Sequence, residues 1–274
     1  MSLTQFRFGI SQGHGGSTLI EGARIFADLL GPVIGQRARL VVESDYKALL
    51  MSVLAGNVEL SWMPPFLHIE ATARGHRLVV VCERGGAVTY RSALLVRNDS
   101  KFRAVSDLLG ERFRVAWSDP ASAAGCVFPR LHLALQGIDP KDQFVSERFY
   151  GGFMAACEAV AAGEADVCAC SVAESSIGEP AQILAEVKRV FAAAEWRLRT
   201  LDVTRPIPAD GLVIASHVDA GLEELLLRTI YGMHLQPGGK QTLSKLFYAD
   251  KLVRVPGYLS NLIETLRPLL PCQA

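Results

Sequence analysis

No apolar run in the sequence is long enough to span a bilayer; the longest are strand-sized, and no transmembrane helix is expected. Neither charge sign is in excess, with Lys plus Arg and Asp plus Glu at 28 each. No basic stretch or acidic tail breaks that balance, so a nucleic-acid partner is not expected. Metal-ligand spacings are absent as well. His14, His68, His76, His132, His217 and His234 form no HxxxH. The six cysteines are scattered except for Cys168 and Cys170, a CxC inside an apparent strand (VCAC) whose side chains are expected on opposite faces. That spacing suits neither a zinc knuckle nor a redox CxxC, and neither metal nor cofactor is expected. Scattered thiols among apolar neighbours read as small buried hydrophobes and fit a reducing compartment slightly better than an oxidising one.

Phosphate-cradling and nucleophile motifs are missing too. The glycine-rich Gln12–Ser17 (QGHGGS) is not followed by GKS/T, and GxGxxG does not occur, so this reads as a plain βα loop. Ser122 in DPASAAG lacks the GxSxG elbow of a serine hydrolase. The N-terminus MSLTQFRFGIS has no basic start, apolar stretch or cleavage site, so no signal peptide is expected. Met1-Ser2-Leu3 also reads as a replacement for a native leader. The expected location is periplasmic if a leader was removed and cytoplasmic otherwise.

What is present is an α/β pattern on 274 residues, half of them hydrophobic, enough for one large domain or two lobes. Strands are expected at Phe6–Ser11, Arg39–Glu43, Leu60–Met63, Leu78–Cys82 and Tyr90–Val96, with helices between the first four, which favours a largely parallel sheet. Thr18 and Glu21 suggest a capping box for a helix whose Leu19, Ala23, Phe26 and Leu30 share a face and which Gly31-Pro32 should stop. Ser44-Asp45 should cap the helix Tyr46–Ala55. A short helical turn is expected at Val105–Leu109, strands at Arg114–Trp117, Phe144–Phe149 and Ala165–Ala169, and a helix at Phe153–Ala162. A helical tract through Ala194, an extended Trp196–Thr204, a strand Leu212–Ala215 and a helical tail follow.

The stretch Trp117–Arg130 (WSDPASAAGCVFPR) stands out: strand, tight small-residue turn, then a helix expected over Ala121–Leu135 with Asp119 as cap and Pro120 first. Such a helix start aims free N–H groups and a dipole at one spot, an anion site if anything binds there. An internal echo links AGNVEL at Ala55–Leu60 with AGEADV at Ala162–Val167: each is helix, glycine stop, strand, which suits two lobes of similar build.

Taken in order, SDYKALLMSVLAGNVELSWMPPF, YRSALLVRNDS, LLGERFRVAWSDPASAAG and RPIPADGLVIAS resemble the substrate-binding components of phosphate/phosphite/phosphonate ABC transporters, over roughly Phe6–Val218. The resemblance implies a type II periplasmic-binding-protein fold of two α/β lobes, each a mostly parallel sheet flanked by helices. Hinge crossovers would fall near Val96–Asn98 and Leu201–Pro206. Lobe 1 would be residues 1–96 plus 205–274, and lobe 2 residues 97–204.

By position, the resemblance makes Ser122 and the N–H groups of Ala123 and Ala124 the cradle of an anionic head. Tyr46 and Tyr90 become hydrogen-bonding or stacking partners, Trp62 to Pro65 (with Pro64) a wall, and Ser11 and Gln12 neighbours of the site. Ala123 and Ala124 replace hydroxyl residues of that family, and Tyr150-Gly151-Gly152-Phe153 replaces a histidine loop. Each charge-assisted bond lost is worth roughly 1.5–3 kcal/mol, so a less charged, more apolar ligand suits Phe153, Trp62 and the alanines better than phosphonate. Arg91 reads as a solvent-facing strand residue rather than an anion fork, and Asp210 as a turn cap.

The leading reading is a non-enzymatic solute-binding protein closing on a small anion (phosphonate, phosphate-like or other) in an interlobe cleft, with an ABC permease as partner if exported. A cytosolic ligand sensor of the same fold is the alternative; an enzyme acting on a small carboxylate ranks below both.

Overall fold

Runs rich in Val, Ile, Leu and Phe alternate with amphipathic helices, and in a computed structural model describing residues 5–12, 17–35, 37–174, 185 and 197–270 they build two α/β units. The first unit takes Met1–Val88 and Pro208–Ala274, the second Thr89–Ile207.

The first unit begins β1 (Arg7–Ser11), α1 (Ser17–Ile34), β2 (Arg39–Glu43), α2 (Tyr46–Leu54), β3 (Leu60–Met63), α3 (Pro65–Ala73) and β4 (Arg77–Glu83). The second holds β5 (Thr89–Arg97), β6 (Phe113–Trp117), a π-helical turn Ala123–Val127 continuing into α4 (Phe128–Leu135), α5 (Pro140–Gln143), β7 (Phe144–Phe149), α6 (Phe153–Ala161), β8 (Val167–Ala173) and β9 (Leu198–Val203). After the two-residue β10 (Ile207–Pro208), the chain returns to the first unit as β11 (Gly211–Ile214), α7 (Ala220–Tyr231), α8 (Gly239–Thr242), a π turn Leu243–Phe247, β12 (Lys251–Arg254) and α9 (Gly257–Leu266).

The first sheet has the order β12-β4-β11-β3-β1-β2. β1 pairs in parallel with β2 and β3, whereas β11 lies antiparallel between β3 and β4, and β12 antiparallel on β4. The sheet is therefore mixed rather than largely parallel. β11 and β12 reach it from the far end of the chain, not through a βαβ crossover, so nothing imposes the parallel sense. On one face Phe8, Ile10, Leu60, Trp62, Val80 and Leu212 meet Leu19, Ala23, Phe26 and Leu30 of α1, the helix face the sequence marks out. In the second unit β6 pairs in parallel with β7 and β8, and β5 runs antiparallel to β8 and β9.

Several sequence expectations are corrected. α1 runs through Gly31 and Pro32 to Ile34. Pro32 sits in the last turn, where its missing N–H forfeits one bond, and Val33 and Ile34 beyond it pack on the core. Thr18 lies inside that helix, one residue past its first, so it is not the cap. β5 falls in the second unit, because β8 and β9 bond it on both sides, whereas the sequence placed it in lobe 1 up to residue 96. The tail holds a strand, β12, as well as helices. Cys168 and Cys170 share one face of β8 and one core cluster, since residues two apart in a strand point the same way. The helical tract expected before Ala194 lies, apart from Ala185, outside the described residues.

The internal echo has a structural counterpart at the amino ends of the strands. In the first unit Glu59, just before β3, receives Arg7 N at 2.7 Å, Arg7 Nε at 3.0 Å and Arg7 Nη2 at 2.6 Å. In the second, Asp166, just before β8, receives Arg114 N at 2.8 Å, Nε at 3.1 Å and Nη2 at 2.7 Å. Each carboxylate residue returns its own N–H to the arginine carbonyl, at 3.1 and 2.9 Å. The preceding stops, Gly56 and Gly163, sit at φ +73° and +79°, a left-handed region that suits glycine.

Candidate functional site

At the opposite, carboxyl ends of the parallel strands, each unit gathers the residues singled out from sequence. In the first unit Ser11 pairs in register with Glu43 and Gly9 with Ser61, so the ends of β1, β2 and β3 are level. Ser11 is buried and Gln12 beside it is exposed. Tyr46 opens α2, its ring edge-on to Phe66 at 5.7 Å. Trp62 is 3 % exposed and meets Phe247 edge-on at 5.5 Å, which makes it a core residue of this unit; Pro64 is buried as the N-cap of α3. Asp45 caps α2 as expected, its carboxylate accepting from Ala48 N at 2.8 Å.

In the second unit two loops meet at the end of β6. Tyr150 N donates to Trp117 O at 3.0 Å and Gly151 N to Ser118 O at 2.7 Å, tying the loop after β7 to the start of the Ser118–Ser122 turn. The helix begins later than the sequence suggests. Asp119 closes a turn by accepting from Ala121 N at 2.8 Å, while Ser122 is the N-cap, its Oγ accepting from Gly125 N at 3.0 Å. Cys126 N and Val127 N both donate to Ser122 O at 3.0 Å, the wide first turn of the π segment. Pro120 after Asp119 imitates a cap and first helical residue in sequence; local Asx-turn bonding takes that aspartate instead.

The bonds of this turn engage Ser122, Gly125, Cys126 and Val127, so Ala123 and Ala124 carry the N–H groups that a helix start leaves over. Ser92 Oγ donates to Ala124 O at 2.6 Å and holds the turn against β5. Gly125 is fixed by close approach: a Cβ there would lie 1.8 Å from Ser118 Oγ and 2.8 Å from the Phe153 ring. Phe153 therefore sits against the turn. Tyr90, near the start of β5 opposite Ala173 at the end of β8, shares this edge. Ser118 Oγ is buried and takes no hydrogen bond among the described residues.

Sequence reasoning missed Ser92 and Ser118; a small polar residue directly after a buried strand was the available signal for Ser118. Arg91 does not face solvent alone. Glu174 accepts from its Nε at 3.1 Å and Nη2 at 2.9 Å, and Thr204 O accepts from Nη1 at 3.2 Å. Asp210 accepts from Arg84 Nη2 at 2.6 Å instead of capping a turn. His68, whose burial pushes its imidazole down to about 4, sits neutral in the core with Nε2 3.1 Å from Ala209 O. No group of three or more His, Cys, Asp or Glu among the described residues could hold a metal ion. No described helix is long and apolar enough to cross a membrane.

A family profile described as the periplasmic substrate-binding protein of phosphonate ABC transporters matches residues 8–255. The phosphate-import protein PhnD of Mycolicibacterium smegmatis is 29% identical over 143 residues, which is 48% of this chain and 44% of that protein, so the match spans under half the relative's length. A Xanthomonas citri protein, XAC2383, solved with ATP, superposes with a TM-score of 0.76 at 18% identity over 97% of both chains. PhnD1 of Prochlorococcus marinus, solved with methylphosphonate, does so with a TM-score of 0.69 at 17% identity over 96% of this chain and 97% of that one. These last two likenesses carry the fold, and the profile, which runs from β1 to the segment after β12, carries the family: the chain belongs to the periplasmic substrate-binding proteins of phosphonate ABC transporters.

Proposed function

We propose that this protein captures a small oxyanion of the alkylphosphonate class, without chemical turnover, and delivers it to an ABC permease in the periplasm. The observation that supports the reading is the neutral, Ser122-capped helix start at the end of β6, where the Ala123 and Ala124 N–H groups remain available. A helix N-terminus favours negative charge and offers donors at no cost in side-chain ordering. Ser118 Oγ is a further donor in reach of the same turn, since it adjoins Gly125.

Phe153 gives the turn an apolar side suited to an alkyl substituent, and favours alkylphosphonate over free phosphate. Tyr90, at the same edge of the second unit, is the side chain we assign to the remainder of the ligand, whereas Trp62 and Pro64 are buried within the first unit. The replacement of hydroxyl residues by Ala123 and Ala124 makes recognition depend on backbone donors; with Ser118 Oγ beside them, phosphonate is favoured over the less charged ligand expected from the sequence. The phosphate-import relative and the methylphosphonate-bound structural neighbour accord with this class.

Calorimetric titration of the purified protein with methylphosphonate, ethylphosphonate, phosphate, methanesulfonate and acetate tests the assignment. Saturation at a hundred times Kd should also stabilise the fold by about 2.7 kcal/mol, read as a higher Tm. Binding of the phosphonates tighter than phosphate is expected. Heat with methanesulfonate or acetate only would overturn the phosphonate assignment, and release of a cleaved product would overturn the non-catalytic one.

A further inference from the structure

The anion turn leaves one cluster of reactive groups unused. Cys157 on α6 lies 3.7 Å, sulfur to sulfur, from Cys168 on β8, and Cys170, two residues on along the same strand face, also hydrogen-bonds to Cys157. All three are at most 1 % exposed and lie in one core cluster with Ala116, Ala156 and Val160. Cys82 and Cys126 differ: among the described residues neither bonds to another thiol, and burial pushes both thiols up to about 12. At Cys157 two neighbouring thiols can donate to sulfur, which draws its ionised form within reach, while Cys168, as donor, is pushed up.

We propose that Cys157 and Cys168 are a peroxide-oxidised pair that closes into a disulfide joining α6 to β8 within the folded protein. The Cys157 thiolate attacks one oxygen of a hydroperoxide, the O–O bond breaks, and Cys157 becomes a sulfenic acid as water or alcohol leaves. Cys168 sulfur then attacks the sulfenic sulfur, and the departing hydroxide takes the Cys168 proton as water. Two thiols lose two electrons and two protons in all, and the hydroperoxide is reduced by the same two electrons. Hydrogen peroxide is small enough to reach a core that a protein oxidant cannot. Residues four apart on a helix share a face, so Phe153, which borders the anion turn, stands one turn above the crosslink.

Treating the folded protein with hydrogen peroxide, then blocking remaining thiols in denaturant, tests this. The expected result is a fall from six free thiols to four, with loss of the mass of two hydrogens. Glutamyl endopeptidase separates residues 148–158 from 165–174, so a Cys157–Cys168 link appears as these two peptides joined, and fragmentation distinguishes Cys168 from Cys170. Cys157→Ser should abolish the link. Cys168→Ala combined with Cys170→Ala should leave Cys157 as a sulfenic acid trapped by dimedone in denaturant, and Cys170→Ala alone should leave the link intact. A full thiol count after treatment would overturn the proposal. So would thiol loss spread over Cys82 and Cys126, a Cys157–Cys170 link in the wild type, or oxidation that needs denaturant. The wild-type peptide map decides even where a variant fails to fold.

Discussion

Two helix starts can be set side by side. α2, in the first unit, is capped by the Asp45 carboxylate, and local bonds to Ala48 N and Ser44 hold that group below the usual carboxylate range, so it stays charged. The helix after β6, in the second unit, is capped by the Ser122 hydroxyl. Both caps satisfy the third N–H of the helix, yet only one leaves the positive end of the dipole open. A carboxylate already sits where an anion would go in the first unit. The amino ends of the strands tell the reverse story: there the units are alike, each locked by one arginine on one carboxylate. Glu59 is wholly buried and also faces His217 Nε2 at 3.4 Å, whereas Asp166 is 31 % exposed. One edge of each unit is fastened for stability, and the edges that differ are the ones free to recognise.

Breaking the two clamps separates them by magnitude. Glu59→Ala leaves the Arg7 guanidinium without its buried partner and should destabilise the protein by about 3–5 kcal/mol in urea unfolding. Asp166→Ala, screened by solvent, should cost about 1 kcal/mol. Equal losses would mean that burial does not set the difference. Ligand affinity in folded protein should be unchanged in both.

Exchanging the caps probes the other edge. Ser122→Asp keeps an N-cap of equal quality but places a charge where the anion docks. At about 4 Å and an effective dielectric of 20 the repulsion is about 4 kcal/mol, so affinity should fall at least about a hundredfold with little change in Tm. Ser122→Ala should do the converse, lowering stability by about 1 kcal/mol. Unaltered phosphonate affinity in Ser122→Asp would move the site away from this turn.

The smallest effect is the carboxyls' share of the pH dependence. Burial works against the ionised Glu59 and Asp166, but hydrogen bonds from Arg7 and Arg114 outweigh it and hold both carboxyls below their ordinary values. A depressed native value stabilises the fold above the unfolded pKa and is lost as pH falls through the native one. Unfolding free energy should therefore fall first below about pH 6.5, where the unfolded chain protonates His68 but the core does not, and the two carboxyls should add a further decline below about pH 4.3. In Glu59→Gln that decline should be shallower; an identical acid limb would exclude Glu59 as a contributor.

Local signals were legible in the sequence and distant ones were not. Asp45 before an apolar helix, the glycine stops Gly56 and Gly163 and the strands ending at Ser11, Met63 and Trp117 depend on neighbours within a few residues. β11 between β3 and β4 depends on partners well over a hundred residues away, and β12 on an edge left open by β4. At the anion turn, the small residues were visible, but Asp119-Pro120 and Ser122 both qualify as helix caps. Only the wide turn from Ser122 O to Val127 N separates them. Ser118 was overlooked because a single buried hydroxyl has no period.

The place of β11 also sets an order of events during synthesis. The second unit is one continuous stretch, Thr89–Ile207, and holds β5 to β9 whole. The first unit has a gap between β3 and β4 that only residues 211–214 fill. A nascent chain can thus complete its middle while its beginning still waits for its end. Throughout that interval the facing edges of β3 and β4 lack their native partner, and the first unit becomes whole last, whatever the rate of translation.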